Sequence, residues 1–201
     1  MEPQAKKGSL NMRVVLTAAV ALGIFACLLG FLFVHARRTD ATEVEAGESM
    51  QLKSASFSDG ANIPTQYTCD GAGVSPSLEW SGAPSATKSF ALVVHDPDAP
   101  VDFTHWLAYD IPAGVHQLAE GASTGGAMPR GAAEGVNGFR KTGYGGPCPP
   151  AGKPHRYIFL LYALDQNLGL GAGATRDQVE SAMRSHIVAS GRLVGTYGRG
   201  E

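Results

Sequence analysis

Four short polar clusters interrupt the apolar runs of this chain, and each carries side chains able to hold an anion or move a proton. His95-Asp96-Pro97-Asp98-Ala99-Pro100 closes one apolar run, and His105-Trp106 opens the next. Gly143-Tyr144-Gly145-Gly146-Pro147-Cys148-Pro149-Pro150 is a glycine-proline loop, and His155-Arg156-Tyr157 leads into a further apolar run. Imidazoles donate N–H bonds to an anionic oxygen, more strongly when protonated. A phenol adds a hydroxyl donor, and a glycine lets backbone N–H groups come close to a ligand. A carboxylate in such company orients a histidine and raises its pKa, or accepts an ammonium or a protonated phosphate oxygen. Read singly, each histidine is a satisfied structural residue and Trp106 is core; spacing alone does not bring the clusters together.

Other motifs fail the test of context. Gly121-Ala122-Ser123-Thr124-Gly125 matches the G-x-S-x-G nucleophile elbow. That motif needs a strand before it and a helix after it, whereas Gly126, Pro129 and Gly131 follow here. Gly169-Leu170-Gly171-Ala172-Gly173-Ala174 approaches a dinucleotide fingerprint and precedes a helix, but no second parallel strand with an acidic end follows it. There is no C-x-x-C, H-E-x-x-H or Walker sequence. No catalytic residue, metal ligand or cofactor is therefore assigned.

The polar clusters need strands to position them. Leu78 and Trp80, then Ser89 to His95, read as strands around a Ser81-Gly82-Ala83-Pro84 turn. Thr104 to Ile111 is a strand stopped by Pro112, and Tyr157 to Leu164 is a continuous apolar strand buried on both faces. The stretch from Gly121 to Gly138 contains six glycines and no apolar periodicity, which predicts a long irregular loop. One helix is predicted, with Thr175 as N-cap, Gln178 completing a capping box, and Val179, Ala182, Met183, His186 and Ile187 on one face. Gly191 is its stop signal, and Arg192 to Tyr197 is a last strand. The expected domain is mainly β, an antiparallel β-sandwich with one or two peripheral helices.

Composition agrees with a turn-rich β domain: 26 glycines and 12 prolines in 201 residues are many for a helical bundle. Hydrophobic residues at 44% and charged residues at 17% exclude a disordered tail. A net charge of -2 argues against a nucleic-acid partner, and three cysteines are too few for a disulfide-built miniprotein. Val14 to Val34 is 21 residues without a charge, about the length that crosses a hydrocarbon core as a helix. It is read as an uncleaved signal anchor, with cleavage after Ala36 or lipidation at Cys27 as lesser alternatives. The expected organisation is a cytoplasmic tail at 1–13, a transmembrane anchor at 14–34, a solvated tether at 35–50 and a domain at 51–201. Lys6, Lys7 and Arg13 before the span, against Arg37 and Arg38 after it, put the domain on the periplasmic or extracellular side.

Several stretches together resemble the phosphatidylethanolamine-binding protein family in its bacterial and archaeal Raf-kinase-inhibitor-like branch. They are Ile63-Pro64-Thr65-Gln66-Tyr67-Thr68-Cys69-Asp70-Gly71, Ser75-Pro76-Ser77-Leu78-Glu79-Trp80, Asp96-Pro97-Asp98-Ala99-Pro100, His105-Trp106, Lys141-Thr142-Gly143-Tyr144-Gly145-Gly146-Pro147 and His155-Arg156-Tyr157-Ile158-Phe159. The resemblance covers Phe57 to Tyr197. It implies an antiparallel β-sandwich with a small anion pocket at one end, which in relatives takes phosphate or phospholipid headgroups. By motif match the pocket is lined by Asp96, His105, Gly146, His155 and Tyr157, with Pro97 and Pro147 shaping its walls. The expected ligand is a small anion or a zwitterion such as phosphoethanolamine. Cys69 and Cys148 lie in family-matched loops; in an exported domain they are expected to form a disulfide near the pocket entrance, the competing reading being two reduced thiols. Three function classes follow: a non-catalytic binding or regulatory protein, acting on a ligand or on a kinase or protease partner; a hydrolase using the Asp and His residues; and a protease inhibitor. The first is favoured, because the matched motifs hold no nucleophile.

Overall fold

Two long apolar segments, Ser89–Asp96 (β4) and His155–Leu164 (β8), lie side by side at the centre of the larger sheet. The structure is a computed structural model and describes residues 48–200. The remaining strands are Glu48–Ser49 (β1), Gln51–Lys53 (β2), Leu78–Ser81 (β3), Phe103–Pro112 (β5), Gln117–Leu118 (β6), Ala133–Glu134 (β7) and Ile187–Tyr197 (β9). A single α-helix among the described residues, Arg176–Met183 (α1), precedes β9. The strands form a six-stranded sheet in the order β1-β9-β8-β4-β5-β7 and a three-stranded sheet in the order β2-β3-β6. The β4, β5, β8 and β9 pairings are antiparallel, and β1 joins β9 in parallel.

Burial explains why the central strands read as unbroken apolar runs. Phe90, Leu92 and Val94 of β4 pack with Trp106, Phe159 and Leu161, and against Leu52, Leu78, Trp80 and Leu118 of the small sheet. Ala91 and Val93, on the alternate positions, pack with Leu107, Tyr109 and Tyr162 and against Val179 and Met183 of α1. The large sheet is thus covered on both faces, so no polar alternation is needed along β4.

The helix starts where its sequence predicts. The Thr175 hydroxyl accepts from the Gln178 N–H at 3.3 Å, and the Gln178 side-chain oxygen accepts from the Thr175 N–H at 2.9 Å. Thr175→Ala removes one half of this box and should lower stability by about 1 kcal/mol. Urea unfolding should show an earlier midpoint at unchanged slope; a midpoint equal to the parent's means that packing of Val179 and Met183 alone holds the helix.

The helix end differs from the expectation. It stops at Met183, and Ile187 already belongs to β9. Gly191 is not a helix stop but a mid-strand residue paired with Leu161. A Cβ there would lie 3.0 Å from the Met50 carbonyl oxygen, so the residue is glycine because the segment before β2 crosses it closely. The 121–138 loop also contains β7, which pairs with β5 at Ala108 and Tyr109. At the other end, β1 lies within the stretch read as a tether and pairs with Ala189 and Ser190.

The expected fold class needs a correction in its membrane part. Among the described residues no helix is long and apolar enough to cross a membrane. The segment to which the transmembrane helix was assigned, 14–34, lies outside the described residues, as do the tail at 1–13 and most of the tether. What the structure supports is a mainly β domain of antiparallel sheets with one helix.

Candidate functional site

A cavity of about 200 Å³ opens at the end of the large sheet where β4 ends and β8 begins. Asp96 closes β4, His105 lies on β5, and His155 and Tyr157 open β8; all four line it. A bulge positions His105. Val94 pairs with Trp106 but His95 pairs with Thr104, so one step along β4 spans two along β5 and His105 is the extra residue.

The two rings that line the cavity are held by their Nδ1 atoms. His155 Nδ1 lies 2.7 Å from Asp96 Oδ2. The other oxygen of Asp96 accepts from the backbone N–H groups of Asp98 and Ala99 at 2.9 and 3.1 Å. Asp96 is therefore an orienting residue, with both oxygens engaged in fixing His155 and the turn after β4. His105 Nδ1 lies 2.6 Å from the Gly145 carbonyl oxygen, while the Gly145 N–H donates to the His105 carbonyl at 2.8 Å. Burial holds His105 below the ordinary histidine value, partly offset by that carbonyl and by Asp96. The Tyr157 hydroxyl is buried and has no hydrogen-bond partner among the described residues. Burial, reinforced by Asp96, pushes its pKa upward, so it stays a donor.

The remaining expected residues have other places. Gly146, Pro97 and Pro147 are not among the residues lining the cavity. A Cβ on Gly146 would lie 2.7 Å from the Tyr67 carbonyl oxygen and 2.9 Å from the Thr68 Cα, so this glycine serves packing of the loop on the 65–68 turn. Cys148 does line the cavity and is bridged to Cys69, with Cα atoms 5.4 Å apart. Cys69 N–H also donates to the Pro147 carbonyl, and the neighbouring Asp70 pairs with Arg199. The 147–150 wall is thus tied to the 68–70 turn by covalent and polar contacts.

Sequence reasoning missed the apolar half of the site. Pro100, Phe103, Phe139, Pro149 and Pro150 form much of its wall. Phe139 packs edge-on against Phe103, with ring centroids 4.8 Å apart, and against His105 at 5.7 Å. It reaches the rim because Asn137 Oδ1 accepts from the N–H groups of Phe139 and Lys141, which holds the 137–141 loop in a tight turn. The Asn137-Gly138 pair is a turn signal, but nothing local ties that turn to a strand end distant in sequence.

His95, grouped with Asp96 in the sequence, serves a different network. Its Nδ1 lies 2.6 Å from Asp102 Oδ1, and Asp102 also accepts from Arg176 of α1 at 3.0 Å. Ser123, of the G-x-S-x-G match, accepts from the Tyr144 N–H at 2.8 Å and serves the loop rather than a nucleophile's role. Among the described residues no group of three or more His, Cys, Asp or Glu side chains could hold a metal ion.

One ion pair beside the cavity carries a pH dependence. Arg156 makes a two-pronged contact with Asp98, Nε to Oδ2 at 2.9 Å and Nη2 to Oδ1 at 2.7 Å, and holds its carboxyl down from 3.8 to about 2. A carboxyl depressed in the folded state adds stability above its unfolded pKa of 3.8, and that stability is lost as pH falls toward about 2. Arg156 is 54% exposed and Asp98 27%, so screening by solvent reduces the contribution to about 0.5–1 kcal/mol. Asp98→Asn should therefore be less stable than the parent at neutral pH, and the gap should close in acid. A gap that persists at the lowest pH assigns the loss to the Arg156 backbone contact instead.

Comparisons with known proteins agree with the fold. The family model described as phosphatidylethanolamine-binding protein matches residues 53–198. A UPF0098 protein of Methanothermobacter thermautotrophicus is 45% identical over 75% of this chain and 100% of its own length. One from Aquifex aeolicus is 43% identical over 86% of this chain and 99% of its own. Among solved structures, a phosphatidylethanolamine-binding protein homologue from Chlamydia trachomatis has a TM-score of 0.69 at 41% identity, covering 76% of this chain and 99% of its own. Escherichia coli YbcL has a TM-score of 0.72 at 35% identity, covering 75% and 99%.

Proposed function

The chain belongs to the phosphatidylethanolamine-binding protein family, and we propose that it is a non-catalytic binding protein whose cavity holds the phosphate of a small anionic or zwitterionic ligand, such as phosphoethanolamine. One observation carries the reading: two histidines with oriented rings and a tyrosine whose hydroxyl has no partner among the described residues line one cavity. Its volume of about 200 Å³ is below the ~300–1,000 Å³ of sites for drug-sized molecules, which suits a headgroup rather than a whole lipid. The apolar wall of Phe103, Phe139 and Pro100 suits the carbon part of such a ligand. The disulfide suits a domain that works in an oxidising compartment. Calorimetric titration of the purified protein with phosphoethanolamine tests the reading; saturable one-to-one heat is expected, and its absence across neutral and mildly acidic pH sinks it.

The Asp96–His155 pair also favours a second reading, hydrolysis, since a carboxylate-oriented imidazole can activate water. A turnover assay with ester and phosphoester substrates separates the two. Turnover that His155→Ala abolishes would establish the hydrolase.

A further inference from the structure

Resting on the binding reading, we propose that Asn137 is a positioning residue for the site. It is not among the residues lining the cavity, yet its one side chain fixes both the aromatic rim and the loop that anchors His105, and so sets ligand affinity. The two ends of the amide are assigned by their partners. Backbone N–H groups only donate, so the end that meets those of Phe139 and Lys141 at 2.9 and 3.2 Å is the oxygen. A carbonyl only accepts, so the end 2.8 Å from the Gly143 carbonyl oxygen is the nitrogen. Asn137 is buried, so water does not stand in for these partners.

Each end leads to a different half of the site. The oxygen end holds the turn that carries Phe139, a wall residue. That turn is fastened to β5 by the Gly138 N–H, which donates to the Thr104 carbonyl at 2.7 Å. The nitrogen end holds Gly143, at the start of the loop whose Gly145 carbonyl lies 2.6 Å from His105 Nδ1. The two halves meet at Gly145, where a Cβ would lie 2.5 Å from Phe139 Cδ2 and 3.2 Å from Asn137 Nδ2. The Phe139 ring therefore packs on the Gly145 backbone, and Asn137 is bonded to the segments on either side of that contact. Removing the amide takes a partner from three backbone groups. The turn keeps its own backbone bonds, Asn137 N–H to Lys141 at 2.8 Å and Arg140 N–H to Asn137 at 2.9 Å, and Gly143 N–H still donates to Gly135 at 3.1 Å. The local fold is thus retained, while Phe139 and the Gly145 carbonyl lose the link that holds them in register.

The test uses the full chain with Asn137→Ala, Asn137→Asp and Phe139→Ala. At neutral pH the Asp variant keeps an acceptor for the Phe139 and Lys141 N–H groups and loses the donor to Gly143. Calorimetry with phosphoethanolamine should show Kd raised at least about fivefold in Asn137→Ala, or ~1 kcal/mol, at unchanged stoichiometry. Phe139→Ala should cost about threefold less affinity in the Asn137→Ala background than in the parent, because both changes act through one wall. Nitrogen NMR of the imidazoles, recorded without ligand, should show the His105 Nδ1 resonance moved in both Asn137 variants. The resonance of His95, which bonds to Asp102, should stay in place. Should Asn137→Ala fail to fold, Asn137→Asp decides on the same affinity and resonance. Affinity equal to the parent's, or strictly additive losses with an unmoved His105 resonance, overturns the inference and leaves the binding reading standing. Absence of binding in the parent itself sinks the binding reading, and this inference with it.

Discussion

Removing the Cys69–Cys148 bridge should lower the thermal midpoint by about 10 °C. The two cysteines are 79 residues apart, and closing a loop of that length restricts the unfolded chain by about 4 kcal/mol. For a chain of this size each kcal/mol corresponds to roughly 2–4 °C. The double variant Cys69→Ala, Cys148→Ala avoids free thiols and should show the loss in a thermal scan, as should the parent under reductant. The contacts that remain, Cys69 N–H to Pro147 and Asp70 to Arg199, are in the native state and do not constrain the unfolded chain. A fall of only a degree or two would mean that the unfolded ensemble already keeps these segments close. Because Cys148 lines the cavity, the same variant should also bind phosphoethanolamine more weakly.

The second large effect is expected at His155. His155→Ala removes a ring from the cavity and leaves Asp96 Oδ2 without its partner. A lost hydrogen bond to a charged ligand costs about 1–3 kcal/mol, or roughly a 5- to 150-fold rise in Kd. Calorimetry with phosphoethanolamine reads this directly. His95→Ala is the control, since His95 serves Asp102 and does not line the cavity. Equal affinities in parent and His155→Ala would remove His155 from the site; an equal loss in His95→Ala would point to a general loosening of β4.

The site was legible in part. Asp96, His105, His155 and Tyr157 are chemically conspicuous, sit at the ends of apolar runs and match the family's motifs. Phe103 and Phe139 carried no such mark, because an aromatic residue in a loop reads the same whether it walls a cavity or not. Gly146 stands beside a binding motif in the sequence, and in the folded chain it packs against the backbone of Tyr67 and Thr68, outside the cavity's lining.

By itself the sequence determined what depends on neighbours along the chain. The apolar runs at 89–95, 104–111 and 157–164 are strands because β-branched and aromatic residues recur there between turn signals, and the folded strands extend each by a residue or two. The start of α1 follows from Thr175 and Gln178, three residues apart, which exchange hydrogen bonds locally. Tertiary structure decided what depends on register between distant strands. The bulge at His105 exists only because β4 and β5 pair with one residue too many, and it turns that ring to the cavity that Asp96 and His155 line. The parting of His95 from Asp96 was settled in the same way, by Asp102 and Arg176 on one side and His155 on the other. Glycine at 191 stops a helix when read locally; in the folded chain β9 runs through it, paired with Leu161, and a Cβ there would crowd the Met50 carbonyl at 3.0 Å. Local signals report φ, ψ and periodicity, whereas convergence on a site is fixed by pairing and packing between segments that the chain order keeps apart.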